Sequence, residues 1–202
     1  LLLDDDIDEE YLNFFMKNYK PNFFLDEKIS ELNNNFKCYD KLAVLLSTSG
    51  STGNPKLVKL SQINIQSNAE SIAKYLNINS SDRAITTLPF HYSYGLSVIN
   101  SHLSQGASII LTNESIISKR FWELFKKNEA TSLAGVPYTF DILDKLRFES
   151  MDLPSLKYIT QAGGKLSEKH AKKFRTVCIK KNIDFYIMYG QTAASPRILY
   201  FK

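Results

Sequence analysis

The stretch that decides the fold is Leu42-Ala43-Val44-Leu45-Leu46-Ser47-Thr48-Ser49-Gly50-Ser51-Thr52-Gly53-Asn54-Pro55-Lys56. The apolar residues Leu42–Leu46 predict a buried strand, which runs into a loop of hydroxyls, two glycines and one lysine. A loop of this kind can offer backbone N–H groups, hydroxyls and a cation to an anion. The sequence therefore predicts a polyphosphate site in this loop.

The overall composition excludes several classes of protein. The chain has 202 residues, of which 44% are hydrophobic and 23% charged, as in ordinary globular proteins. The net charge of +4 is small and its lysines and arginines are mixed with acids, which argues against a nucleic-acid partner. The chain has no apolar run long enough to span a bilayer. Neither its cysteines, Cys38 and Cys178, nor its histidines, His91, His102 and His170, have metal-ligand spacing. We therefore expect a cytoplasmic protein with reduced thiols.

Strands and helices are predicted to alternate along most of the chain, which indicates an α/β fold with an open, mostly parallel sheet and helices on both faces. In such sheets ligands bind at the carboxyl ends of the strands. Small or polar residues follow three predicted strands, at Ser47–Lys56, Gln161–Lys165 and Tyr189–Arg197. The strands are predicted at Leu42–Thr48, Ala84–Leu88, Ala107–Leu111, Ser132–Val136, Leu156–Thr160, Asp184–Tyr189 and Ile198–Phe201, and the main helices at Gln62–Leu76 (capped by Ser61), Tyr94–Leu103, Lys119–Lys127, Thr139–Leu146 and from Ser167 to about Lys181.

The first loop differs from the phosphate loop of nucleotide kinases. That motif has its lysine directly after the second glycine, followed by Ser or Thr. Here Gly53 is followed by Asn54 and Pro55 before Lys56. A kinase-like ATPase is therefore disfavoured, and the remaining alternative to a phosphate site is a flexible Ser/Gly turn.

The segment Ser47–Lys56 resembles the phosphate-binding signature of the adenylate-forming enzymes, which include acyl-CoA synthetases, adenylation domains of nonribosomal peptide synthetases and luciferases. Leu57 departs from the glycine that usually follows the lysine. The resemblance implies that the loop and Lys56 hold the β- and γ-phosphates of ATP, with the loop contacts made by Thr48, Ser49, Gly50, Ser51, Thr52 and Gly53.

A second segment, Leu88–Leu96, resembles the part of the same family that lies beside the acyl pocket. The resemblance implies a pocket that includes His91, Tyr92, Tyr94 and Gly95, with His91 also a catalytic candidate. Many members have a histidine three residues before the glycine, a place that Tyr92 takes here, with His91 one residue earlier. Which of the two faces the substrate stays open, and so does the alternative that His91 is a loop residue without a chemical role.

Two glycine-containing turns complete the resemblance. Gln161–Leu166 resembles the turn that lies against adenine, which implies nucleotide contacts from Gly163, Gly164 and Lys165, although a plain strand-to-helix turn would also contain glycines. Tyr189–Ala193 resembles the family's Tyr-Gly-x-Thr-Glu signature, and the residues implied in nucleotide binding are Tyr189, Gly190, Gln191 and Thr192. Thr192 would contact the α-phosphate, whereas Ala193 stands where the family has its Mg²⁺ ligand and cannot bind a metal. Arg197 could complement a carboxylate or a phosphate, or be a surface arginine.

The resemblance implies an enzyme that uses ATP and Mg²⁺ to activate an organic carboxylic acid as an acyl-adenylate, then transfers it to the thiol of coenzyme A or of a carrier protein. Lys56, Thr192 and His91 are the catalytic candidates. We expect residues 1–202 to be a partial N-terminal AMP-binding domain without the C-terminal domain, and to turn over little or no substrate by themselves. The alternative is a non-catalytic remnant that binds a nucleotide or a partner.

Overall fold

The computed structural model describes residues 1–4, 6–25, 28–32, 39–48, 56–194 and 197–202. The strands are β1 (Phe23–Leu25), β2 (Ile29–Glu31), β3 (Leu42–Thr48), β4 (Lys56–Ser61), β5 (Arg83–Ile85), β6 (Ser108–Ile110), β7 (Ser132–Gly135), β8 (Tyr158–Gln161), β9 (Asp184–Tyr189) and β10 (Leu199–Phe201). The helices are α1 (Glu9–Tyr19), α2 (Gln62–Leu76), α3 (Ser93–Leu103), α4 (Lys119–Lys127), α5 (Pro137–Lys145) and α6 (Glu168–Lys181), with short 3₁₀ turns at Phe148–Ser150 and Thr192–Ala194.

The main sheet has six strands in the order β10-β9-β8-β7-β5-β6. Strands β5 to β9 pair in parallel, and β10 pairs antiparallel with β9 at one edge. This confirms the predicted fold class.

Helices cover both faces of the sheet. Successive side chains of a strand point to opposite faces, so neighbouring residues of β8 and β9 enter two different cores. Ile159 and Phe185 pack into a core with residues of α4, α5 and α6. Tyr158 and Tyr186 lie in a second core with residues of α2 and α3. These two layers explain why β7 and β8 are buried along their whole length. None of the helices in the described part of the chain is both long and apolar enough to cross a membrane.

One prediction about the sheet is wrong. Strand β3 is not part of the main sheet, but pairs antiparallel with β4 in a separate two-stranded sheet. The physical reason is the connection, since strands joined by a short loop can pair antiparallel, whereas parallel neighbours need a crossover of a dozen residues or more. Thr48 and Lys56, at the two ends of the predicted phosphate segment, are therefore partners in this two-stranded sheet and do not follow a main-sheet strand.

Candidate functional site

The carboxyl end of β9 forms one wall of the candidate site. Tyr189 is 53% exposed, and its hydroxyl oxygen accepts a hydrogen bond of 2.6 Å from the Gln191 side-chain amide. Gly190 and Gln191 lead into the 3₁₀ turn at Thr192–Ala194. An exposed ring held by a neighbouring amide has a face free to stack on a planar ligand.

The amino end of α3 lies against this turn. The hydroxyl oxygens of Ser93 and Thr192 are 3.1 Å apart and share a hydrogen bond. Ser93 is buried, and its helix has no side-chain cap at Tyr92. The contact joins the first residue of α3 to the Thr192 turn, which follows it by almost a hundred residues.

The Gly163 turn adjoins the same place. Gly163 has a φ of +78°, and a β-carbon built on it would lie 2.3 Å from the Tyr92 hydroxyl oxygen. The Tyr92 phenol therefore lies directly on the backbone of this turn, in a space that only glycine leaves free. Gly164 is held through its carbonyl, which accepts a 2.9 Å hydrogen bond from the Gln161 side chain. Lys165 is exposed.

His91 and Tyr92 point to different neighbours. His91 Nε2 lies 3.4 Å from a carboxylate oxygen of Asp4, whereas Tyr92 lies on Gly163. Partial burial raises the pKa of the Tyr92 phenol above its ordinary value, which favours the protonated hydroxyl. Of the two residues, Tyr92 is the one placed beside the glycine turn. The substrate role of either residue stays a prediction.

Tyr94 and Gly95 lie deeper. Tyr94 is 3% exposed and its hydroxyl lies 2.7 Å from the Thr160 hydroxyl of β8. Burial raises the pKa of Tyr94 to about 12. The backbone of Gly95 lies against the Pro89 carbonyl, so both residues hold α3 on the sheet and its preceding turn. Their predicted contact with the acid substrate stays a prediction.

The β3–β4 hairpin is the remaining wall. Thr48 pairs with Lys56, and the Thr48 hydroxyl donates a 3.2 Å hydrogen bond to the Lys56 carbonyl. Strand β4 also lies next to the Thr192–Ala194 turn. Ser49, Gly50, Ser51, Thr52 and Gly53, which carry the predicted phosphate contacts, lie outside the described residues. The hairpin thus brings Thr48 and Lys56 to the side of the site.

The donor set does not fit a magnesium ion. Position 193, next to Thr192, is an alanine, and Mg²⁺ requires oxygen ligands. Within the described ranges, no group of three or more His, Cys, Asp or Glu side chains is placed to hold a metal.

The sequence left two features of the site undetermined. Ser93 was not singled out, although a serine at the start of a predicted helix was a signal. Arg197 is only 7% exposed, so the alternative of a surface arginine is wrong. Its burial had no local signal, because it depends on where β10 pairs.

Comparison with known proteins identifies the family of the chain. The profile of a family described as AMP-binding enzyme matches residues 4–201. The chain belongs to the AMP-binding enzyme family.

A relative in this family is the mitochondrial medium-chain acyl-CoA ligase of Mus musculus, which is 32% identical over 167 residues, or 79% of this chain and 26% of that protein. O-succinylbenzoate coenzyme A synthetase from Bacillus subtilis, solved in complex with AMP, has 26% identity and a TM-score of 0.68 over 81% of this chain and 32% of its own. The inhibitor-bound N-terminal domain of FACL13 from Mycobacterium tuberculosis, at 22% identity, has the same fold, with a TM-score of 0.65 over 81% of this chain and 40% of its own. The chain spans about a quarter to a third of the length of the curated relatives that it matches.

Proposed function

We propose that this chain supplies nucleotide and acid contacts to an enzyme that activates an organic carboxylic acid with ATP. The observation that carries the proposal is the meeting of three distant segments: Thr192 bonds to Ser93, and the adjacent Tyr92 lies on Gly163. Membership of the AMP-binding family and similarity to acyl-CoA ligases support it. We also propose that residues 1–202 are part of an N-terminal AMP-binding domain.

In the proposed reaction a substrate carboxylate oxygen attacks the α-phosphorus of ATP. The bond from that phosphorus to the bridging oxygen breaks, so that pyrophosphate leaves and an acyl-adenylate forms. A thiol of coenzyme A or of a carrier protein then attacks the acyl carbon and releases AMP. Transfer of this kind depends mainly on positioning and on charge stabilisation.

Each wall of the site has a proposed part in this reaction. Lys56 and the loop that begins at Thr48 bind the phosphates that leave as pyrophosphate. The Thr192 hydroxyl orients the α-phosphate, and Tyr189 and Gly163 contact adenine, the first by its exposed ring and the second by its backbone. Tyr92 borders the space for the acid.

Lys56→Ala is expected to weaken ATP binding about tenfold, the usual scale for one charge-assisted hydrogen bond, while AMP affinity stays within about twofold because AMP has no β- or γ-phosphate. The measurement is titration calorimetry of the chain with each nucleotide. Lys59→Ala, which removes an exposed lysine from the same strand, is the matched control and should leave both affinities unchanged. Unchanged ATP affinity in Lys56→Ala would refute the phosphate role. Absence of AMP binding by the unaltered chain would refute the nucleotide site.

A second candidate function, a nucleotide-binding remnant without catalysis, is favoured by Ala193. Ala193→Glu places a carboxylate next to Thr192, and we expect Mg²⁺ to strengthen ATP binding by about tenfold in this variant. In the control Ala193→Gln, which has no charge, Mg²⁺ should strengthen ATP binding by less than about twofold. Titration of ATP with and without Mg²⁺ measures this. Carboxylate-dependent exchange of labelled pyrophosphate into ATP by the unaltered protein would exclude the remnant. Pyrophosphate exchange that appears only in Ala193→Glu would establish that the unaltered chain is a non-catalytic remnant.

A further inference from the structure

Arg197 is a buried cation without a described counter-charge. Its side chain is 7% exposed, and its Nε and Nη1 atoms have no hydrogen-bond partner among the described residues. Within the same part of the chain it takes part in no ion pair, although surface lysines and arginines do so repeatedly. Burial of an uncompensated guanidinium is costly, so such a group in a native fold indicates a missing anion.

The surroundings of Arg197 are aromatic and neutral. Its guanidinium carbon lies 5.0 Å from the centre of the Tyr94 ring. Burial raises the pKa of the Tyr75 phenol. The charge of Arg197, and a hydrogen bond between Arg197 and Tyr75, act in the opposite direction. The Tyr158 phenol lies in the same core as Tyr94 and is close enough to interact with the Arg197 charge. Phenols can share hydrogen bonds with a guanidinium, but they cannot neutralise its charge.

The position of Arg197 relates it to the proposed acid pocket. It contacts Tyr94, which follows Tyr92 and Ser93 on the segment that forms the site wall. It also follows the Thr192–Ala194 turn by three residues. Its φ is +68°, a backbone angle that residues other than glycine rarely adopt. A strained backbone that directs a cation into the interior is typical of a functional position.

We propose that Arg197 binds a second carboxylate of the acid substrate, so that the preferred substrate class is dicarboxylic acids. This rests on the proposed function, in which the other carboxylate is the one that reacts with ATP. A carboxylate oxygen can accept a charge-assisted hydrogen bond from the free Nε–H or Nη1–H of Arg197, and such a pair is strong where water is excluded. The nucleotide phosphates are the other source of anionic oxygen, and the test separates the two.

The first test compares free acids of equal carbon number, in the absence of nucleotide. The chain is titrated with succinate, glutarate and adipate, and with butyrate, pentanoate and hexanoate as their one-carboxylate counterparts. At least one diacid is expected to bind about tenfold more tightly than its counterpart. In Arg197→Gln that preference should fall to about twofold or less. Arg175→Gln removes an exposed guanidinium that also lies over an aromatic ring, that of Phe201, and should keep the preference.

A stability measurement checks the missing counter-charge. Arg197→Met keeps an unbranched side chain, although a shorter one, and removes the buried charge, so the ligand-free variant is expected to melt about 2–4 °C higher than the unaltered chain. Addition of the preferred diacid should raise the melting temperature of the unaltered chain and not that of the variant. A lower melting temperature for Arg197→Met would show that the Arg197 side chain already stabilises the ligand-free chain, and would overturn the proposal.

Other outcomes overturn it as clearly. Equal affinity for every diacid and its counterpart, or an unchanged preference in Arg197→Gln, would remove the second-carboxylate role. Loss of AMP or ATP affinity in Arg197→Gln without an effect on diacids would assign the guanidinium to a phosphate instead. Failure of the proposed function is seen separately, as absence of nucleotide binding by the unaltered chain.

Discussion

Gly95→Ala is expected to destabilise the fold by about 3 kcal/mol. A β-carbon at this position would lie 2.3 Å from the Pro89 carbonyl oxygen and 2.9 Å from that of Leu88. Both are backbone atoms, so the clash cannot be relieved by a change of rotamer, and α3 or the turn before it must move. Alanine would favour the helix by about 1 kcal/mol, which offsets only part of this cost.

The measurement is the midpoint of urea unfolding, and Gly106→Ala is the matched control. Gly106 has a φ of +69°, but a β-carbon there meets only the Ser80 side chain at 3.8 Å. Its expected cost is about 1 kcal/mol, from backbone strain alone. If Gly95→Ala unfolds at the same urea concentration as Gly106→Ala, the close packing of α3 on the Leu88–Pro89 turn is wrong.

The fold was predictable where the signals are local. Helix α2 begins after the predicted cap Ser61 and ends at Leu76, since its apolar spacing, the cap and Asn77, with φ of +55°, all lie within a few residues. Strand β9 has its predicted bounds because its apolar run ends at a glycine. The prediction that β3 belongs to the main sheet is wrong, because the apolar residues of a strand do not determine which strand it pairs with. The short connection to the extended residues after Lys56 was the available clue to a hairpin.

The site was predictable as a set of segments but not as a set of contacts. The resemblance to a known family indicated Gly163, Gly164 and Thr192. The structure adds that Tyr92 lies against Gly163 and that Ser93 is hydrogen-bonded to Thr192. Such contacts depend on how α3 packs over β8 and β9, which involves residues far apart in the sequence. Arg197 shows the same limit, since its burial follows from the packing of Tyr94 and the edge pairing of β10.

The same packing makes stability depend on pH through His102, which is 1% exposed beneath the site. Its Nδ1 lies 2.7 Å from the Val98 carbonyl oxygen and its Nε2 lies 2.9 Å from the Tyr158 hydroxyl. A carbonyl can only accept, so Nδ1 carries the proton and Nε2 accepts from the phenol, which is the neutral form of the ring. Burial is the largest cause that lowers the pKa of His102 to about 4. The Arg197 charge acts in the same direction, and the Val98 carbonyl and Asp82 oppose both effects.

The fold is therefore expected to lose about 3 kcal/mol of stability as the pH falls from about 6.5 to about 4. In that range the unfolded histidine binds a proton and the folded one does not, so protons favour the unfolded chain. The lowered pKa of Asp82 adds a loss only below its unfolded value of 3.8, and does not account for the change above it. The measurement is the free energy of urea unfolding in steps across this range.

His102→Gln is the control, because its amide can donate to a carbonyl and accept from a phenol without a charge that titrates. Its stability should change by less than about 1 kcal/mol over the same range. If the unaltered chain and His102→Gln lose stability in parallel between pH 6.5 and 4, other groups carry the effect and His102 is not the neutral buried ring that its two hydrogen bonds indicate. If only the unaltered chain loses stability, the His102–Tyr158 pair links the protonation of the interior to the packing of α3, the helix that also positions Tyr92 and Ser93.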